Sequence, residues 1–131
     1  MSARQVIRNL SIADLVRYRL PVPGVLSILH RISGALMFLA LPAILLLFDL
    51  SLRSELSYQQ LRDLAGGWVV KIGLALIAWA LLHHLAAGIR YLLLDLDWGV
   101  DREAARRSAW VVFAVSLPLA LWAALIIFGV L

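Results

Sequence analysis

Cysteine is absent from this sequence, and histidine is scarce, with only His30, His83 and His84. Without cysteine the chain has no disulfide framework, no thiolate-ligated zinc site and no iron–sulfur cluster held by its own side chains. Charged residues are also few, since Asp, Glu, Lys and Arg make up 15% of the 131 residues. Any metal chemistry must therefore use one of the three histidines or a ligand from another chain.

Apolar residues dominate instead, at 63% of the chain. A soluble domain is closer to about half apolar and a quarter charged, so this composition suits lipid better than water. The formal net charge is +4, and eleven of the twelve basic residues are Arg. These Arg residues flank the apolar segments, which indicates membrane topology rather than nucleic-acid binding. We therefore expect membrane lipid as a partner and no nucleic acid.

Three apolar segments, over residues 32–50, 68–94 and 109–131, are each long enough to cross a bilayer. A helical span needs about 20 apolar residues. A membrane strand would alternate apolar and polar residues, and that alternation is absent, so helices are expected. The sequence predicts an all-α membrane protein with an N-terminal segment at 1–23 and a three-helix transmembrane domain at 24–131. The predicted helices run over about 24–51, 67–95 and 104–131.

Basic residues are distributed unevenly between the two sides of this predicted bundle. The N-terminal segment holds four Arg, the second connection at 95–107 holds three, and the first connection at 51–67 holds two. Lys and Arg accumulate on the cytoplasmic side of membrane proteins. We therefore expect the N-terminus and the second connection to be cytoplasmic. The N-terminal segment has no continuous apolar region followed by a small-residue cleavage site, so no signal peptide is predicted.

The start of the first span carries a polar cluster on one helical face. Ser27, His30 and Arg31 lie at i, i+3 and i+4, so their side chains share a face just inside the interface. One interpretation is an Arg that extends to the interface beside a capping Ser. The other is a site for an anionic or carbonyl-bearing ligand, such as haem propionates or a quinone. The residues alone leave both interpretations open.

The second span carries two adjacent histidines near its inner end. Because neighbouring helix residues point about 100° apart, His83 and His84 cannot both bind one metal. A Gly one turn after a His lets a flat ligand or another helix approach the backbone, and one stripe of this helix holds His84, Gly88, Tyr91 and Asp95. Haem ligation and an ordinary interhelical hydrogen bond both fit this spacing. Arg90 and Asp95 also fit interface anchoring and helix termination.

The strongest signal comes from two motifs, one on each of these spans. The first reads Arg19-Leu-Pro21, followed by Ser27-Ile-Leu-His-Arg-Ile-Ser-Gly34. The second reads His84-Leu-Ala-Ala-Gly-Ile-Arg-Tyr-Leu-Leu-Leu-Asp95. Together, in this order and on a three-span chain, they resemble the two signatures of the succinate dehydrogenase cytochrome b membrane-anchor subunit. The resemblance covers nearly the whole chain.

This resemblance implies partners and cofactors. In the family, such a chain packs with a second three-helix anchor subunit around a b-type haem. The two anchors hold a flavoprotein and an iron–sulfur subunit at the membrane, and electrons from succinate pass through the iron–sulfur subunit to ubiquinone. The chain is then a non-catalytic subunit of an oxidoreductase complex. It is expected in the bacterial inner membrane rather than the mitochondrial inner membrane.

The resemblance also implies roles for individual residues by position. His84 becomes one axial ligand of the haem iron, and the second anchor supplies the other. His30 and Arg31 lie near the haem propionates. The quinone site draws on Ser27, Ile28 and Arg31. The residues to which the motif gives a supporting role are Gly88, Arg90 and Asp95.

Departures from the family pattern occur at Leu20, Tyr91 and Leu94. Tyr91 stands where the family often has His, which puts propionate contact at that position in question. None of the three departures alters Ser27, Arg31 or His84.

Three other functions are compatible with the same residues. The first is the anchor of a quinol:fumarate reductase, which the sequence does not separate from a succinate-oxidising enzyme. The second is a structural membrane subunit with no cofactor. The third is a lone small cytochrome that holds one haem between His30 and His84.

Overall fold

The computed structural model describes residues 19–131, so residues 1–18 of the predicted N-terminal segment lie outside the described part of the chain. Within residues 19–131 four helices follow one another: α1 at Val22–Arg53, α2 at Glu55–Ala65, α3 at Trp68–Asp95 and α4 at Arg102–Phe128. Residues 19–131 contain no strand. The all-α prediction is confirmed.

Helices α1, α3 and α4 are each long and apolar enough to cross a membrane. At 1.5 Å of rise per residue they measure roughly 40 to 48 Å, which exceeds the hydrocarbon thickness of about 30 Å. Their outer surfaces expose large apolar side chains, including Phe38, Leu39 and Val69. Such surfaces are stable only against lipid or another apolar protein surface. The prediction of three transmembrane helices is confirmed.

Helix α2 lies within the stretch 51–67, for which the sequence analysis predicts only a connection. Its start is a reciprocal cap: the Ser54 hydroxyl oxygen accepts from the Ser57 backbone N–H at 3.1 Å, and the Ser57 hydroxyl oxygen accepts from the Ser54 backbone N–H at 3.1 Å. The Ser57 hydroxyl also donates to the Leu50 carbonyl at 2.6 Å. The cap satisfies free backbone donors and ties α2 to the end of α1.

The turn from α3 to α4 reverses the chain within a few residues. Asp97 and Gly99 both adopt positive φ, at 59° and 72°, a region that Gly and Asp tolerate better than other residues. The Asp101 carboxylate then accepts from the backbone N–H groups of Glu103 and Ala104, at 3.1 and 2.9 Å. This N-cap starts α4 by pairing two of its free backbone donors.

Helix α3 is the centre of the bundle, because it packs most extensively against α4 and next against α1. The buried positions between the helices are mostly small, at Ala80, Ala87, Ala109 and Ala120. Small residues allow helices in lipid to approach closely. Helix α3 therefore has α4 on one side and α1 on another. The start of α1 and the start of α4 lie at the same end of the bundle, where residues 20–23 and Arg102 border one cavity.

Candidate functional site

The adjacent residues His83 and His84 on α3 face different neighbouring helices. His83 is fully buried, and its Nδ1 lies 3.2 Å from Ser116 Oγ of α4. Its ring stacks on Trp79 at a centroid distance of 5.6 Å and lies 5.7 Å from the ring of Phe113. This enclosure leaves His83 no access to a ligand from another chain, so its contacts serve the packing of α3 on α4.

His84 turns instead towards α1. Its Nδ1 lies 3.1 Å from the backbone carbonyl oxygen of His30 and 3.3 Å from Ser33 Oγ. A carbonyl oxygen only accepts, so the hydrogen bond to His30 requires the proton of His84 on Nδ1. The other ring nitrogen, Nε2, then carries a free lone pair. A metal-binding His is held in the same way, with one nitrogen donating to a carbonyl and the other facing the metal.

Gly34 is the residue of α1 that makes room for this ring. A Cβ at position 34 would lie 2.9 Å from His84 Cε1 and 3.3 Å from its Nδ1. A side chain there would therefore push the imidazole out of its position. By comparison, a Cβ at Gly88 would lie 3.8 Å from His30 Nε2, an ordinary contact distance. Within this chain the tighter approach to an imidazole is therefore at Gly34, and the role of Gly88 in admitting a flat ligand or another helix stays a prediction.

The rings of His30 and His84 are stacked, with centroids 4.1 Å apart and planes inclined by 17°. Tyr91 lies beside the stack, with its ring centroid 5.0 Å from that of His30. Three buried polar atoms have no hydrogen-bond partner within residues 19–131: His83 Nε2, which lies in the packing of α3 on α4, and the His30 Nε2 atom and Tyr91 hydroxyl beside the stack. A buried polar atom without a partner is costly, so two of them in one place indicate a site for a polar group from elsewhere.

A cavity of about 400 Å³ opens beside the stack, in the groove between α1 and α3. It is lined by His30, His84, Leu85, Gly88, Ile89, Tyr91 and Leu92. Apolar walls around a few polar groups are typical of ligand and cofactor sites. Three residues of the predicted stripe therefore border one groove, namely His84, Gly88 and Tyr91. The fourth, Asp95, is exposed at the end of α3 and does not line the groove.

The stacked arrangement bears on how many ligands this chain could give to one iron. Two axial imidazoles must point their nitrogen atoms at the metal from opposite sides of a haem. His30 and His84 instead lie face to face at 4.1 Å, which leaves no space for a macrocycle between them. In this geometry the pair could give at most one axial ligand to a haem iron, which argues against the lone-cytochrome alternative.

The other predicted site residues on α1 lie within one turn of His30. Ser27 is half-buried, whereas Ile28 and Arg31 are exposed. Because His30 contacts His84, these residues lie at about the depth of the His84 ring. They belong to a surface that another subunit or a ligand can reach.

Arg90 does not face this groove. It is buried, with Nε donating to Ser108 Oγ at 2.9 Å and a terminal nitrogen donating to the Ala105 carbonyl at 3.0 Å. Its guanidinium carbon also lies 5.3 Å from the centre of the Tyr91 ring. Arg90 therefore links α3 to α4 through hydrogen bonds, and its guanidinium packs on the ring of Tyr91, which borders the site.

Two residues that touch His84 received no role in the sequence analysis. Ser33 and Gly34 follow His30 by three and four residues, so they share its helical face. That spacing was the available signal. Their importance depends on which residue of α3 lies opposite, and the sequence of α1 does not contain that information.

Comparisons with known proteins cover nearly the whole chain. A family model described as succinate dehydrogenase/fumarate reductase transmembrane subunit matches residues 6–127. The succinate dehydrogenase cytochrome b556 subunit of Coxiella burnetii is 38% identical over 105 residues, covering 79% of this chain and 83% of that protein. The subunits of the same name from Rickettsia felis and Paracoccus denitrificans are 32% and 30% identical, covering 80% and 85% of this chain and 83% and 85% of those proteins.

Proposed function

Since this chain belongs to the succinate dehydrogenase/fumarate reductase transmembrane subunit family, we propose that it ligates haem b through His84 and helps to form a quinone-reduction site. It is a cytochrome b anchor subunit of succinate dehydrogenase, a multi-pass protein of the bacterial inner membrane and part of a larger complex.

The observation that carries the haem assignment is the hydrogen bond from His84 Nδ1 to the His30 carbonyl, at 3.1 Å. It leaves Nε2 as the ligating atom, next to an apolar groove. The buried, unpartnered Tyr91 hydroxyl and His30 Nε2 supply polar contacts that a carboxylate-bearing macrocycle would satisfy. The residues present therefore fit a haem, and Tyr91 fits propionate contact although the family often has His there.

The second axial ligand is expected from a partner. His83 is enclosed against α4, and His30 is stacked on His84 rather than opposed to it. A six-coordinate cytochrome needs two strong axial ligands. A second three-helix anchor packed on the groove between α1 and α3 would supply a His and cover the exposed apolar residues Leu85, Ile89 and Leu92. When bound, haem b supplies a one-electron redox centre within the membrane.

For the quinone site we propose Ser27, Ile28 and Arg31. A ubiquinone that takes up two electrons and two protons develops negative charge on its oxygens before protonation. Ser27 would donate a hydrogen bond to one oxygen, and the Arg31 guanidinium would stabilise the charge, as positioned polar groups do in sites that exclude water. Ile28, which is 43% exposed, would supply apolar contact to the ring. Arg31 also suits a propionate through paired hydrogen bonds.

The remaining partners that we propose are those that the family implies. In this proposal a flavoprotein oxidises succinate and an iron–sulfur subunit passes the electrons on to this chain, which has no cysteine to hold a cluster of its own. These subunits would dock on the cytoplasmic end, where the starts of α1 and α4 meet. Gly88 would line the haem groove, and Asp95 would lie at its cytoplasmic end. A quinol:fumarate reductase anchor would use the same residues in the opposite direction.

Purification through a tag on this chain, in mild detergent, tests the proposal as a whole. We expect a flavoprotein, an iron–sulfur subunit and a second small anchor to co-purify, with a b-type signal in the reduced-minus-oxidised spectrum and ubiquinone reduction by succinate. A complex that reduces ubiquinone but holds no haem would overturn the haem assignment. A pigmentless assembly without quinone-linked activity would instead support the structural-subunit alternative.

A further inference from the structure

Ser33 is a fully buried polar residue within a membrane-spanning helix, directly opposite the ring of His84. Its hydroxyl donates to the His30 carbonyl at 2.8 Å and lies 3.3 Å from His84 Nδ1. Gly34, the next residue, is the one at which a Cβ would lie 2.9 Å from His84 Cε1. Ser33 and Gly34 thus lie against the Nδ1–Cε1 edge of the His84 ring.

We propose that Ser33 and Gly34 are positioning residues for the haem ligand: Gly34 lets the His84 ring reach the α1 backbone, and Ser33 completes the polar contact that holds its Nδ1 proton. This inference rests on the proposed ligation by His84. It assigns to α1 a direct influence on the spectrum and redox potential of the bound haem, through the ring that ligates it.

The His30 carbonyl oxygen is the acceptor that Ser33 and His84 share. Within α1 this oxygen can accept the backbone hydrogen bond of the residue four positions later, which is Gly34. It also accepts from the Ser33 hydroxyl and from His84 Nδ1. The Ser33 oxygen, at 3.3 Å, is a second acceptor for the Nδ1 proton. The electron density that Nε2 offers to a metal depends on how strongly Nδ1–H is held, so a change at Ser33 changes the ligand.

Gly34 acts by the absence of a side chain, which leaves room for the His84 ring, rather than through a hydrogen bond. A methyl group at this position requires the His84 ring to move by several tenths of an ångström or to rotate, because 2.9 Å is shorter than real carbon contacts. Rotation would take Nδ1 away from the His30 carbonyl. It would also change the orientation of the His84 imidazole towards a bound haem, to which the electron paramagnetic resonance g-values of a low-spin ferric haem are sensitive.

The bundle offers a matched control for each change. Ser116 is also fully buried and lies 3.2 Å from an imidazole Nδ1, but the ring belongs to His83. Gly73 lies on α3, and a Cβ there would meet nothing within 4 Å. Ser116→Ala and Gly73→Ala therefore repeat the chemical changes of Ser33→Ala and Gly34→Ala away from the proposed ligand.

The experiment compares the four variants in the purified, assembled complex by redox titration of the haem, by low-temperature resonance spectra of the oxidised form and by haem content per flavin. We expect Ser33→Ala to keep its haem and shift both the midpoint potential and the g-values. Gly34→Ala should shift the g-values further or lose haem. Ser116→Ala and Gly73→Ala should match the unmodified complex.

Unchanged spectra and potentials in both Ser33→Ala and Gly34→Ala would overturn the inference, and so would equal shifts in Ser33→Ala and Ser116→Ala. If Gly34→Ala does not assemble, Ser33→Ala decides, because it removes one atom and introduces no clash. Failure of the proposed function is distinguishable: in that case the unmodified complex lacks haem, or replacement of His84 leaves the haem signal intact.

Discussion

The His84 ring donates a hydrogen bond to the backbone carbonyl of His30, 54 residues earlier in the chain, and stacks on the side chain of that same residue at 4.1 Å. One residue of α1 therefore contacts His84 in two independent ways. The carbonyl is part of the backbone and remains in any substitution of His30, whereas the stacked ring does not. The two contacts can for this reason be separated by experiment.

His30→Ala removes the stacked ring and the unpartnered Nε2 but keeps the carbonyl that accepts from His84. We expect the assembled complex to retain haem b at near-normal content, with a shifted midpoint potential because a polar neighbour of the haem is lost. Redox titration and the reduced-minus-oxidised spectrum measure both quantities. Loss of haem as complete as in a variant without His84 would contradict this separation of roles.

Ser27→Ala and Arg31→Leu test the quinone site. Removal of one positioned donor from a site that stabilises developing charge slows reactions by about 100- to 1,000-fold in well-studied enzymes. We expect ubiquinone reduction by succinate to fall at least about tenfold, while succinate oxidation with an artificial soluble acceptor stays near normal. Arg62→Leu, a change at an exposed residue of α2, is the control. Equal loss of both activities in Arg31→Leu would show failed assembly rather than a quinone role.

Arg90→Met tests the joint between α3 and α4. The change deletes two hydrogen bonds from a buried guanidinium, to Ser108 and to the Ala105 carbonyl. Hydrogen bonds of a charged group contribute about 1.5–3 kcal/mol each, so the temperature of denaturation of the complex should fall markedly. The haem spectrum below that temperature should stay normal, because Arg90 faces away from the groove. A changed spectrum with unchanged thermal stability would place Arg90 at the haem instead.

Asp101→Ala tests the start of α4. It removes the carboxylate that accepts from Glu103 and Ala104, and loss of such a cap costs about 1 kcal/mol. We expect lower thermal stability and unchanged quinone reduction. Asp101→Asn, which keeps an accepting oxygen, should retain most of the stability. Equal destabilisation by Asn and Ala would show that the negative charge, rather than the cap, is what matters.

The three membrane-spanning helices could be predicted because an apolar run of sufficient length has only one stable structure in lipid. Helix α2 was missed. It is short and mostly polar, and its start depends on a Ser54–Ser57 cap rather than the more familiar Ser with Glu or Gln. Composition identified the stretch as lying outside the membrane, and polarity alone does not separate a surface helix from a loop.

At the site, helical periodicity placed His84, Gly88 and Tyr91 on one stripe, and all three border the groove between α1 and α3. The periodicity of one helix does not show which residues of a neighbouring helix lie opposite it. Gly34 is important because the His84 ring lies against it. The Arg90 side chain is directed away from the site because it donates a hydrogen bond to Ser108 on α4. Both facts depend on how α3 rotates between its neighbours, a property of three helices together.

The most direct test of this account compares His84→Leu with His83→Leu in the purified, assembled complex. Both changes remove an imidazole from the middle of α3, but His84 faces the groove and His83 faces Ser116. The reduced-minus-oxidised spectrum should lose its haem b signal, or change strongly, in His84→Leu and remain normal in His83→Leu, with flavin content confirming assembly of both. A normal spectrum in His84→Leu, or loss of haem in an assembled His83→Leu complex, would contradict the account.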